Sequence, residues 1–191
     1  MTKLIYITHP ATQIDPKVPV ANWHVSDEGR RQLMRLVEKP FWKEVDTIYS
    51  SQEPKALRTA EEINTRIPHL EFPIMFGNED LGEIDRSSTG VLSKEEHEKA
   101  IEEFYLHPDE SYKGWETAEH ATKRTVDVVS NIMADNIGKT VAIIGHGSVG
   151  TLLICHLKGI APTIKEDPRK QGCIVEIDWD KKTVLSKWIQ Y

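Results

Sequence analysis

Two histidines in this 191-residue chain share the same local grammar. His9 follows the run Leu4-Ile5-Tyr6-Ile7-Thr8, and His146 follows Val141-Ala142-Ile143-Ile144-Gly145. Short β-prone apolar runs read as strands, and open α/β sheets place ligands beyond the carboxyl ends of such strands. A neutral imidazole there can act as a nucleophile or carry a proton. Gly145 and Gly147 flank His146 ahead of a helical pattern. Small residues let main-chain groups approach a ligand, and a helix N-terminus favours an anion. A single histidine after a strand is commonly a loop or capping residue; the recurrence is what points to chemistry.

The elements that must hold these residues can be read from pattern. Ser26 caps a helix whose inner face carries Leu33, Leu36 and Val37. Val45–Ser50 reads as a second strand, and Pro54 suits the first turn of a helix with Ala56, Ala60 and Ile63 inside, closed by Pro68. Phe72–Phe76 reads as a short edge strand, because Pro73 cannot donate to a ladder. Residues 77–116 form a helical and loop excursion, with a capping box at Ser93–Glu96 and one apolar face of Ala100, Ile101, Phe104 and Tyr105. Thr117 caps the longest helix, which Gly138 terminates. Val141–Ile144 is a central strand with both faces covered. Two late strands, near 173–178 and 183–189, close the chain around a turn at Asp180–Lys182. Strand and helix alternate throughout. The expected fold is therefore α/β, a three-layer α/β/α sandwich around a mostly parallel mixed sheet, formed by one domain over 1–191.

Composition excludes several classes. Thirty acidic side chains against 24 Lys and Arg give a formal charge of -6, so a nucleic-acid partner is not expected. Cys155 and Cys173 are too few and too far apart for a disulfide framework or a cysteine-rich zinc site. No stretch approaches the roughly 18 apolar residues a membrane span wants, and the first apolar run is too short for a signal peptide. A cytoplasmic, non-membrane location is expected by default. The remaining histidines, His24, His69, His97, His107, His120 and His156, show no metal-ligand spacing. His97, His107 and His120 read as surface or loop residues. Neither a metal nor a cofactor is expected.

In order along the chain, five blocks resemble those of the histidine phosphatase superfamily, whose fold is also called phosphoglycerate mutase-like. They are Thr8-His9-Pro10, Val25–Gly29, Ser50–Ala60, Leu81-Gly82-Glu83 with Gly114–Thr117, and Ile144–Gly147. The resemblance covers most of the chain. It implies metal-independent hydrolysis of a phosphate monoester, with His9 as nucleophile and phosphohistidine carrier, Glu83 as proton donor and His146 as a donor to the phosphoryl group. Glu79 is the fallback acid if the block is shifted. Lys55, Arg58 and Gly147 are the implied phosphate-binding residues. Trp23 and His24 follow the first strand closely enough to line a substrate pocket. Glu116 either orients a cation or caps the long helix. The partner implied is a small phosphorylated metabolite.

The departures from the family pattern bear on activity. The family carries arginines where this chain has Thr8 and Lys55, and glycine where it has Pro10. Losing one donor to a developing oxyanion costs on the order of 3 kcal/mol, and lysine lacks the guanidinium fork. Three readings follow. Another cation among Arg30, Arg58 and Arg86 compensates; the substrate carries less charge or binds through other groups; or the chain is a catalytically impaired phospholigand-binding or protein-interaction module.

Overall fold

The computed structural model describes residues 1–70 and 77–191. The expected edge strand at Phe72–Phe76 falls outside them. Strand β1 (Lys3–Thr8) lies mid-sheet, parallel to β4 (Thr140–Gly145) on one side. On its other side runs β5 (Cys173–Asp178), antiparallel. Beyond β4 come β2 (Thr47–Ser51) and the two-residue β3 (Gly77–Asn78), both parallel. Two short strands, β6 (Thr183–Val184) and β7 (Ile189–Gln190), pair with β5. The sheet order β3-β2-β4-β1-β5-β6 is thus the mixed, mostly parallel arrangement expected.

Alternation along the strands makes two cores. Ile5, Ile7, Ile48, Ala142 and Ile144 face α1 (Asp27–Val37) and α2 (Pro54–Arg66), which contribute Leu33, Leu36, Ala56, Ala60 and Ile63. Leu4, Tyr6, Val141, Ile143, Val175 and Ile177 face α4 (Ala118–Ala134) and α5 (Gly147–Leu157), which contribute Val129, Ile132, Met133 and Leu153. The excursion carries α3 (Lys94–Leu106). Phe104, Tyr105 and Trp115 join Ala118, Ala121, Val149 and Leu152 in a third cluster, so the excursion packs over the start of α5.

The caps follow the sequence. Ser26 accepts from Gly29 N, Pro54 opens α2, Ser93 and Glu96 form the capping box, and Thr117 accepts from His120 N. Helix α4 stops at Ala134, ahead of Gly138, whose φ of 80° turns the chain toward β4. One late strand departs from expectation. Residues 183–189 split into β6 and β7 because the Ser186 hydroxyl, not a ladder carbonyl, accepts from Glu176 N (3.1 Å). Among the described residues no helix is long and apolar enough to cross a membrane.

Two contacts fix the loop after β1. Ser26 N and Oγ both donate to the Ala11 carbonyl, at 2.9 and 3.1 Å. Gly29 packs against the same carbonyl so closely that a Cβ there would lie 2.1 Å from it. The start of α1 is therefore pinned to the loop after His9.

Candidate active site

Register brings the two histidines together. Thr8 lies opposite Gly145 in the β1–β4 ladder, so the next residues, His9 and His146, leave the sheet side by side. Their rings sit edge to face with centroids 5.1 Å apart. His9 is 6% exposed and lines a cavity of about 530 Å³ together with Thr8, Lys55, Glu83, Arg86 and Gly147. His146 stands behind it, fully buried, and among the described residues neither ring nitrogen has a hydrogen-bond partner.

The His9 ring is held in one tautomer. Its Nδ1 lies 2.8 Å from the Pro10 carbonyl, which only accepts, so Nδ1 carries the proton and Nε2 keeps its lone pair. Burial, then His146 and the Lys55 ammonium, push the His9 pKa well below 6.5. Burial, Lys55, Arg124 and Arg86 do the same to His146. Both imidazoles are neutral at neutral pH.

Glu83 sits at the opening of α5. Its carboxylate accepts from Ile84 N (3.1 Å) and Ser148 N (3.4 Å). Burial raises its pKa, against the lowering pull of Arg86. The segment carrying it is clamped by Arg124, which donates to the carbonyls of Asp80, Gly82 and Glu83 (2.8–3.1 Å). Glu116 holds Arg124 through two bonds of 2.7 and 2.8 Å. Glu116 therefore orients a cation rather than capping α4, and that cation acts on the Glu83 segment.

Lys55 is 3% exposed, and its ammonium is engaged on three sides. It donates to the carbonyls of Val20 (3.0 Å) and Ala21 (3.5 Å) in the 3-10 turn Val20–Asn22, and it pairs with Glu53. Glu53 is a carboxylate that sequence reasoning missed. Besides Lys55 it accepts from Glu83 N (2.7 Å) and lies 3.6 Å from His146 Nε2. Its place just before Pro54, in the block that matches the family, was the available signal. Thr8 lines the cavity, but its hydroxyl is engaged in the sheet: it accepts from Cys173 N at 2.8 Å and stitches β1 to β5.

Of the three compensating cations considered, Arg86 alone lines the cavity. It contacts His97, and its Nε is buried without a partner among the described residues. His97, expected at the surface, is a cavity residue for that reason. Arg58 lies outside: three residues advance a helix by roughly 300°, and this carries it off the inner face of Lys55 and Ala56. Its side chain is 71% exposed and pairs with Glu61. Arg30 is 76% exposed and faces Asp27. Trp23 lines the cavity and donates its indole N–H to the carbonyls of Asp15 and Val18 (3.1 Å each), whereas His24 is exposed and outside it. Glu79 does not line the cavity. No group of three or more potential metal ligands is found among the described residues.

Gly145 has a structural task. A Cβ there would lie 2.2 Å from the Tyr6 hydroxyl, which accepts from His146 N (3.2 Å) and donates to His146 O (3.3 Å). The missing side chain makes room for Tyr6, not for a ligand. Gly145→Ala is expected to destabilise the fold by about 1–3 kcal/mol through overpacking. A denaturant titration checks this: an unchanged midpoint would mean Tyr6 moves freely aside.

Comparison with known proteins agrees with this geometry. A family model described as "Histidine phosphatase superfamily (branch 1)" matches residues 18–190. A Bacillus subtilis (strain 168) protein called "Uncharacterized phosphatase PhoE" is 28% identical over 163 residues, 84% of this chain and 76% of that protein. Bacillus stearothermophilus YhfR superposes with a TM-score of 0.80 at 22% identity, over 96% of this chain and 94% of its own. A phosphoserine phosphatase from Entamoeba histolytica, in complex with 3-phosphoglyceric acid, gives 0.79 at 20% identity over 100% and 98%. The fold, the paired histidines at the strand ends and the family match along almost the whole chain place this protein in the histidine phosphatase superfamily.

Proposed function

We propose that this protein hydrolyses a small phosphomonoester through a phosphohistidine on His9, without a metal, and that residues 1–191 act as one domain with the 77–116 excursion as its cover. The observation that carries the proposal is the Nδ1 contact to Pro10, which leaves Nε2 as the unprotonated nitrogen of a cavity-lining ring. Nε2 attacks phosphorus, and the bond to the ester oxygen breaks as that oxygen takes the proton of Glu83. Glu83 then removes a proton from water. The resulting hydroxide displaces His9, releasing inorganic phosphate and the neutral imidazole. His146, whose ring nitrogens are unpartnered, supplies a hydrogen bond to the phosphoryl oxygens when ligand is present. Arg86 and Gly147 are the proposed phosphate-side groups, with Trp23 against the organic part, while Lys55 lines the same cavity with its ammonium engaged by Val20, Ala21 and Glu53. The E. histolytica phosphatase that this chain resembles was crystallised with 3-phosphoglyceric acid. That supports a singly phosphorylated metabolite of that size.

The test is a panel of phosphorylated metabolites with labelled phosphate, quenched in alkali during turnover. Acid-labile label on the peptide containing His9 is expected. Turnover with no label on His9, and unchanged in His9→Ala, would refute the mechanism. A second reading has one specific observation behind it: all three donors of Lys55 are spent on Val20, Ala21 and Glu53. That arrangement suits a module that binds a phospholigand without turning it over. Binding across the panel with no phosphate release would establish it.

A further inference from the structure

We propose that Arg169 and Lys170 supply the phosphate-binding charge that Thr8 and the engaged Lys55 do not, so that the anion clamp comes from the loop before β5 rather than from the end of β1. This deepens the reading above, and rests on it, in placing the phosphate at His9.

The loop Asp167–Gln171 forms one wall of the cavity. It is fixed against both histidine-bearing loops. Gly172 N donates to the His9 carbonyl at 3.0 Å. Pro168 lies 3.6 Å from where a Cβ on Gly147 would sit. Gln171 bonds to Thr12 N and to the Thr12 hydroxyl, both at 3.2 Å. The loop therefore spans from the start of α5 to the His9 loop, and its exposed Arg169 and Lys170 line the cavity.

The backbone at Arg169 is built for presentation. Its φ is 56°, a left-handed conformation that side chains other than Gly, Asn and Asp seldom adopt. Its N–H donates to Asp167 Oδ1 (2.7 Å), while the Tyr105 hydroxyl donates to Asp167 Oδ2 (3.1 Å). Each oxygen of that carboxylate thus accepts one bond, and neither bond comes from the Arg169 guanidinium. Among the described residues neither Arg169 nor Lys170 forms an ion pair, unlike Lys55 with Glu53 and Arg124 with Glu116. Two uncompensated cations on the wall of a cavity that also holds Glu83 and Asp167 are suited to an anionic ligand.

The test uses the full chain and inorganic phosphate as probe, followed by calorimetry at low ionic strength. Arg169→Gly removes the side chain while suiting the positive φ, so the loop backbone is retained. It is expected to weaken phosphate binding about 10-fold, and the double variant with Lys170→Ala by about 100-fold. Arg169→Lys should recover part of the loss, which a loop-shape effect would not allow. Arg58→Ala, outside the cavity, should bind like the parent. Melting temperatures confirm folding, and Lys170→Ala alone keeps the test decisive if Arg169→Gly misfolds. Unchanged phosphate affinity in the double variant overturns the proposal. Loss of turnover in His9→Ala alongside normal binding in the Arg169 variants would leave the phosphohistidine reading standing and remove only this one.

Discussion

Replacing His9 by alanine is expected to lower turnover by at least about 10⁴-fold, with phosphate binding largely kept. Removal of a nucleophile leaves only what binding and electrostatics contribute to an uncatalysed attack by water, and comparable losses reach about 10⁶. In this site the loss should be uncompensated. The neighbouring His146 is fully buried behind His9 and does not line the cavity. Its proposed part is to donate a hydrogen bond to the phosphoryl oxygens, not to attack phosphorus. The cations on the wall are untouched by the change, so ligand affinity and catalysis should part company. Steady-state kinetics and phosphate calorimetry on the same variant make the comparison. Turnover within about 10-fold of the parent would mean that another group attacks phosphorus.

The second large effect belongs to Glu83. Glu83→Gln should cost about 10²–10⁴-fold in turnover of alkyl phosphates, the usual contribution of a positioned general acid. The loss should shrink for aryl phosphates, whose leaving oxygen needs no proton. The pH profile gives a sharper signature. The proposed mechanism requires His9 deprotonated and Glu83 protonated. The His9 pKa is pushed well below 6.5, so the ascending limb lies on the acid side of that value. The Glu83 pKa is raised above 4.5, so activity falls as pH rises through that higher value. The optimum lies between these two values, and the glutamine variant should lose the descending limb while keeping the ascending one. A descending limb that survives in Glu83→Gln would assign the acid to another group.

Much of this site could be read from residue order, because its key residues are tied to secondary-structure ends. A strand followed by histidine, twice, predicts adjacency if the two strands pair in parallel, and β1 and β4 do. Lys55, Glu83, Arg86 and Gly147 reach the cavity from a helix start, an acidic loop and a strand-to-helix turn that pattern had already located. What escaped depended on direction or on distant contacts. Arg58 was counted with Lys55 although the helix turns it to solvent. His24 and Trp23 are neighbours in sequence, yet only Trp23 lines the cavity. Thr8 read as a lost arginine; its hydroxyl is a stitch to Cys173, 165 residues away. Glu53 had only its place before Pro54 to mark it, and the exposed Arg169–Lys170 pair lies in a loop whose approach to the His9 loop no periodicity announces. Only the packed loops reveal them.

The place of β1 in the sheet also has a kinetic consequence. Its two ladder neighbours come from the far end of the chain, Lys3 lying opposite both Thr140 and Asp178. Closing such long loops is slow, and its entropic cost is met before any contact rewards it. The strand that carries His9 is synthesised before both of its ladder neighbours and can be seated only after them. During synthesis β2, α2 and the excursion emerge with no partner for the β1 edge, which stays an open template until β4 and β5 exist. A nascent or truncated chain ending before β4 would therefore contain His9 and its helix neighbours without His146 beside it. The two histidines can meet only as one of the final events of folding.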